Sequence, residues 1–177
     1  MTNNAESDNG SKGFRILPFV GGILALYVSF FALIPLGLFA PLFGTSLTDL
    51  SIEILVIDDL YFFIWGITDG VTMATDFSTF TLESLFPMLI WIIMVSAGIL
   101  GLVGSAYNED PKKIKKKIKL AALFIIIVII FYVSLYIFYY LDDSSVVIIG
   151  FGFYILCLIV PFYILGAHRI TDYHEIE

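Results

Sequence analysis

The side chains that could carry chemistry form two small groups, and both lie outside the apolar segments of the chain. Asp58, Asp59 and Asp69 could hold a divalent cation through their carboxylate oxygens. The second group lies near the C-terminus and consists of His168, Asp172 and His174. Neither group has the ligand spacing of a known metal motif. We therefore predict solvated acidic groups at the first and a mobile tail at the second, with no metal site.

Nucleophilic catalysis is not indicated either. The single cysteine, Cys157, lies within an apolar run that has no base or cation nearby in sequence, so we expect a small buried residue rather than an activated thiolate. Both histidines fall in the C-terminal tail. Because a hydrolase needs a nucleophile with a base, or a metal, we predict no catalytic residue and no cofactor, and we favour a non-enzymatic protein.

The composition explains why so few side chains are available for chemistry. The chain has 177 residues, of which 59% are hydrophobic and 14% charged, and its mean hydropathy is +0.97. Soluble domains carry about 25% charged residues, and this chain in water would expose large apolar patches. A water-soluble globular protein and a disordered chain are therefore excluded. The net charge of −7 has the wrong sign for a phosphate-binding face, which excludes nucleic acid as a partner.

Four charge-free stretches predict an all-α membrane protein with four transmembrane helices. They are residues 16–44, 86–107, 120–141 and 146–167. Every charged residue of the chain lies outside them. Each stretch exceeds the roughly 20 residues that cross a hydrocarbon core of about 30 Å. Because a segment in lipid must satisfy its backbone hydrogen bonds internally, each stretch is expected to be a helix of a multi-pass four-helix bundle.

The charges between the spans predict the orientation of the chain. The 45–85 loop carries seven acidic residues and no Lys or Arg, whereas the 108–119 loop carries six lysines. The positive-inside rule therefore places the acidic loop outside, and the basic loop and both termini in the cytoplasm. Residues 1–15 form a flexible tail before the 16–167 transmembrane domain, and the residues from 168 onward form a second tail. The high Ile and Lys content suits the cell membrane of a prokaryote.

The basic loop offers a contact for anionic lipid head groups. Its lysines are Lys112, Lys113, Lys115, Lys116, Lys117 and Lys119. Such a juxtamembrane run attracts anionic head groups by about 1 kcal/mol per lysine. A topology determinant without a specific ligand is the simpler interpretation, and we favour it. The Asp110-Pro111 pair predicts that the helix of the third span begins at the proline, so that the lysines form a cytosolic stem.

Small residues and prolines predict how the helices pack and bend. One stripe on the first span consists of Gly21, Ala25 and Ser29, and one on the second consists of Ala97, Gly101 and Ser105. Because small side chains let helices approach closely in lipid, we expect these spans to pack against each other or against a neighbour. Helix kinks are predicted at Pro35, Pro41 and Pro161. The first helix is expected to bend near Pro35 or to end near Pro41.

The acidic external loop contains an apolar stretch that fits two structures. In residues 50–67, the β-branched Ile52, Ile54 and Val56 alternate as they would in a strand. Apolar residues also recur three or four positions apart, which fits an amphipathic helix on the outer membrane surface. We favour the helix, with residues 60–65 against the membrane or a partner.

These features favour a structural, assembly or accessory subunit that acts through helix–helix and external-loop contacts. Its partner would be another membrane protein or a second copy of the chain. The alternative is a small transporter or channel component for an apolar or weakly polar solute, with the first and fourth spans lining the path. A third interpretation is a lipid-acting enzyme that uses Asp58, Asp59 and Asp69 at the outer surface.

Overall fold

The computed structural model describes residues 15–31, 33–34, 50–68, 73–74, 82–106, 111–141 and 145–172. The described chain is mostly helical, and a small sheet lies at one end of the helices. Three of the described helices are long and apolar enough to cross a membrane, which is compatible with an integral membrane protein.

The described residues form four helices. They are α1 (Ile16–Phe30), α2 (Leu82–Ser105), α3 (Pro111–Tyr140) and α4 (Phe151–Asp172). The three that could cross a membrane are α2, α3 and α4. The first helix has 15 residues, which gives a length of about 22 Å and falls short of a hydrocarbon core of about 30 Å.

Seven short strands are described as well. They are β1 (Leu33–Ile34), β2 (Leu50–Ser51), β3 (Leu55–Ile57), β4 (Leu60–Phe63), β5 (Gly66–Thr68), β6 (Met73–Ala74) and β7 (Val147–Ile149). β1 and β2 pair with each other, and the others form one antiparallel sheet in the order β6-β5-β4-β3-β7. The strand between α3 and α4 therefore joins a sheet that is otherwise built from the segment between α1 and α2.

The helices pack side by side around an apolar core. α1 packs against α2 and α4, and α3 packs against the same two helices. Each helix contributes a fully buried residue to the core, for example Ala25, Met94, Ile125 and Ile159. The sheet and the residues just before it add buried side chains to the same core, among them Ile52, Ile54 and Leu55.

The first helix is shorter than the charge-free stretch from which it was predicted. It ends at Phe30, and Phe31 has an extended backbone although its N–H still donates to Tyr27 O (3.0 Å). Strand β1 begins at Leu33, so α1 ends before Pro35 and Pro41 are reached. Both prolines lie outside the described residues.

The described residues 50–68 of the segment between α1 and α2 form strands and turns, and the preference for a helix there is wrong. Ile57 and Leu60 are paired in register, so Asp58 and Asp59 form a two-residue hairpin loop between β3 and β4. Asp58 has a φ of 52°, a left-handed conformation that Asp tolerates better than most residues. Of the three alternating β-branched residues, only Val56 lies in a strand, where it pairs with Ile148 of β7.

The last two helices differ in how well the charge-free stretches predict their starts. α3 begins at Pro111, as the Asp110-Pro111 pair predicts. The helix predicted from residue 146 begins only at Phe151, because residues 147–149 pair with β3 as strand β7. Cys157 is exposed on α4, so its predicted burial is wrong.

Candidate functional site

One end of the helices carries the positive charge of the described chain. The backbone N–H of Arg15 at the start of α1 donates to Ser105 O at the end of α2 (3.5 Å). Gly104 lies against Ile118 of α3, and the last turns of α4 lie beside the same part of α3. These contacts define the basic end, which holds every described Lys and Arg: Arg15, Lys112, Lys113, Lys115, Lys116, Lys117, Lys119 and Arg169.

The opposite end holds the sheet and the described acidic side chains, which are Glu53, Asp58 and Asp59. The Asp58 carboxylate accepts a hydrogen bond from the N–H of Val146 (2.8 Å), and the Asp58 N–H donates to Val146 O (2.8 Å). Asp58 therefore ties the hairpin to the segment before β7. Asp69 lies outside the described residues, as does His174. Within the part of the chain that the structure describes, no three His, Cys, Asp or Glu residues are grouped to hold a metal ion.

A groove of about 370 Å³ runs between α3 and α4 at the basic end. Three of its lining residues have basic side chains: Lys115, Lys119 and His168. The others are apolar or aromatic: Ala122, Leu123, Ile126, Tyr163, Ile164 and Ala167. The groove can hold an apolar chain along the helices and an anionic group at its basic end.

The groove results from residue spacing on both helices. Lys115 and Lys119 are one turn apart on α3, and Ile126 lies about two turns farther along the same side. The small side chains of Ala122 and Ala167 face the space between the helices and leave it open. Sequence reasoning identified the basic run but could not show which lysines would meet α4.

The structure separates the six lysines into different environments. Lys115 and Lys119 line the groove, whereas Lys113 and Lys116 are exposed and are not part of its lining. Lys112 and Lys117 lie in the same first turns of α3. Because of this division, two lysines inside the groove and two outside it can be neutralised in separate variants that lose the same charge.

The residues of the small stripes are buried between helices. All six are buried: Gly21, Ala25, Ser29, Ala97, Gly101 and Ser105. A Cβ added at Gly22 would lie 2.9 Å from Gly98 O, so α1 and α2 meet backbone to backbone. The Ser29 hydroxyl donates within its own helix to Ala25 O (2.7 Å) and does not bridge helices.

One aromatic ring fills the space that the two stripes leave. Tyr163 of α4 is fully buried, and its hydroxyl donates to Ala97 O (2.9 Å). A Cβ added at Gly101 would lie 2.5 Å from Tyr163 Oη, and one added at Gly21 would lie 3.0 Å from Tyr163 Cε1. Each stripe thus contributes one glycine to the pocket of the same ring.

Sequence reasoning missed Tyr163. The sequence did carry a signal for it. The tyrosine hydroxyl lies one turn inside a charge-free span, where it needs a buried hydrogen-bond acceptor, and this need indicates a contact with a neighbouring helix. Pro161, two residues earlier, lies inside α4 and is exposed, and the helix continues through it.

Hydrogen bonds fasten the sheet to the helix ends. They run from Tyr132 Oη to Phe63 O (3.3 Å), from Trp65 Nε1 to Phe31 O (3.2 Å), from Gly150 N to Ile54 O (3.1 Å) and from Gly152 N to Glu53 O (2.8 Å). Because three of the helices take part, the sheet is fixed on the bundle at several points.

The strand register exposes apolar side chains on one face of the sheet. Val56 pairs with Tyr61 on one side and with Ile148 on the other, so the three side chains share a face. Tyr61 is 39% exposed and Ile148 57% exposed. These three residues, which we call the sheet row, lie next to the acidic turn of Asp58 and Asp59.

Comparison of the chain with protein-family models, with characterised proteins and with solved structures finds no match.

Proposed function

We propose that this is a non-enzymatic, multi-pass membrane protein that acts as a structural, assembly or accessory subunit in the cell membrane of a prokaryote. The sheet row carries the proposal. An apolar row on a sheet that caps the helices, beside an acidic turn, is typical of a surface that another protein covers. The partner in this proposal is a second membrane protein.

The orientation that we propose has four spans, with the basic end in the cytoplasm. Its support is the separation of charges among the described residues, because the described Lys and Arg residues lie at one end and the side chains of Glu53, Asp58 and Asp59 lie at the other. The positive-inside rule then puts both termini inside and the acidic 45–85 loop outside. The first of the four spans in this proposal is α1, although its 15 residues are shorter than the hydrocarbon core.

Cysteine labelling tests this orientation. In a Cys157→Ser background, we expect Asp59→Cys to react with a membrane-impermeant maleimide on intact cells. Lys116→Cys should react only after the cells are permeabilised, because both positions are exposed but lie at opposite ends of the helices. Labelling of both variants, or of Lys116→Cys alone, on intact cells would contradict the orientation.

The accessory role predicts a stoichiometric partner that depends on the sheet row. We expect tagged protein, extracted from native membranes in mild detergent, to co-purify with one membrane protein at fixed stoichiometry. The double variant Tyr61→Thr/Ile148→Thr should lose most of that partner, because it removes two apolar contacts while threonine retains strand propensity.

Leu60→Thr is the matched control for this experiment. Leu60 is 43% exposed on the same sheet, but it pairs with Ile57 and so belongs to the other face. We expect it to retain the partner. Purification of the wild-type chain alone, as a monomer or homo-oligomer, or equal partner loss in both variants, would argue against the proposal.

A transport path between α1 and α4, the alternative, is less well supported. A Cβ added at Gly166 would lie 2.7 Å from Pro18 Cγ, and Tyr163 fills the space beside Gly21. A path there would require α1 to separate from α4. An open groove does lie between α3 and α4, and its lining suggests a different ligand.

A further inference from the structure

We propose that the α3–α4 groove binds one anionic phospholipid, with the lipid phosphate at Lys115 and Lys119 and one acyl chain along Leu123 and Ile164. The proposal requires the membrane insertion of α3 and α4, but it does not depend on the accessory role. A lipid site could exist in a protein that has no protein partner, so the two proposals can fail separately.

Charge complementarity favours a phosphate at the basic end of the groove. Two lysine ammonium groups and the His168 ring line this end, and each can donate hydrogen bonds to phosphate oxygens. The carboxylates whose side chains the structure describes lie at the opposite end of the helices. An anion at this end of the groove therefore meets the side chains of Lys115 and Lys119.

The apolar part of the groove suits an acyl chain in position and length. Leu123 is 50% exposed and Ile164 is 52% exposed, so the groove opens sideways where lipid chains would lie. From Lys115 to Ile126 the groove extends for about 16 Å along α3. This is close to half of a hydrocarbon core of about 30 Å, which places the phosphate at the interface and the chain toward the midplane.

A lipid-binding measurement with matched variants tests the site. The full chain is reconstituted in phosphatidylcholine bilayers, and the relative association of spin-labelled phosphatidylglycerol and spin-labelled phosphatidylcholine is measured. We expect the wild-type protein to prefer phosphatidylglycerol, and Lys115→Gln/Lys119→Gln to reduce that preference by roughly thirtyfold. Lys113→Gln/Lys116→Gln removes the same charge from exposed positions outside the groove and should reduce it by less than about twofold.

Each remaining outcome overturns the proposal. Equal reductions in the two double variants would show a diffuse basic surface instead of a groove site. Absence of any preference in the wild-type protein would show that the groove does not select anionic lipid. Displacement of the lipid by millimolar inorganic phosphate would show an anion site that needs no acyl chain.

A second measurement needs no variant, so it holds even if the charge-neutral chains fail to fold. Wild-type protein is irradiated in bilayers that contain phosphatidylglycerol with a photoreactive group in its acyl chain. We expect adducts concentrated at Leu123, Ile126 and Ile164. Adducts spread evenly over other exposed residues, such as Ile130 and Leu158, would overturn the proposal.

Discussion

Gly152→Ala is expected to destabilise the protein by about 2 to 3 kcal/mol, although alanine is the better helix former. Gly152 is the second residue of α4, where helix propensity alone would favour alanine by up to about 1 kcal/mol. A Cβ at this position would overlap Ile52 O and lie 2.9 Å from Glu53 O. These are backbone atoms, so no side-chain rotation relieves the overlap, and overpacking of this kind costs about 1 to 3 kcal/mol or more.

The expected consequence is a loosening of the sheet from α4. The Gly152 N–H donates to Glu53 O at 2.8 Å, and the added methyl group forces this bond to lengthen. Thermal unfolding in detergent, followed by circular dichroism, should show a lower Tm. Hydrogen exchange should quicken at residues 52–57 and remain unchanged in the middle of α2.

Leu158→Ala provides the control for this prediction. It lies on the same helix and is 51% exposed, so its effect should stay within about 0.5 kcal/mol, as for other substitutions away from packed contacts. A Gly152→Ala protein that unfolds at the wild-type temperature would show that the sheet does not press against α4 as described.

The helices could be predicted from sequence where one physical constraint dominates. Residues 120–141 hold no charge, and a helix of that length is long enough to cross the hydrocarbon core. The Asp110-Pro111 pair supplies a local signal for the start of the helix. The structure accordingly shows α3 from Pro111 to Tyr140. The constraint is local to this segment, and none of the described strands overlaps it.

The strands could not be predicted in the same way, because their pairing is not local. Val147 to Ile149 looks like the start of an apolar helix, yet it pairs with β3, which lies some 90 residues earlier in the chain. The apolar residues 50–67 match helix and strand patterns alike. Only the pairing with β7 and the hairpin at Asp58 and Asp59 decide between them.

The groove shows a second limit of sequence reasoning. The spacing of Lys115 and Lys119 on α3 is visible in the sequence, but their relation to His168 depends on how α4 is rotated and shifted against α3. That register depends on the packing of the whole bundle, in which the Tyr163 ring of α4 lies against Gly21 and Gly101. A polybasic run alone therefore predicts charge near a membrane and not a site.

Gly101→Ala is the second large effect that we expect, with a loss of about 2 to 3 kcal/mol. The added Cβ would lie 2.5 Å from Tyr163 Oη and 2.6 Å from Tyr163 Cε1. The ring is fully buried between helices, so it can move only by separating α4 from α2 and by weakening the hydrogen bond from its hydroxyl to Ala97 O. Val103→Ala, on the exposed side of α2, should change stability by less than about 0.5 kcal/mol.

A double-mutant cycle identifies Tyr163 as the cause. Tyr163→Phe should cost about 1 kcal/mol, because it removes one buried hydrogen bond. In the Gly101→Ala/Tyr163→Phe protein the atom nearest to the new methyl group is absent, so the combined loss should be smaller than the sum of the single losses by about 1 kcal/mol. Unfolding in detergent measures all four proteins. Additive losses would contradict the contact, because the ring would then not be what the missing side chain of Gly101 accommodates.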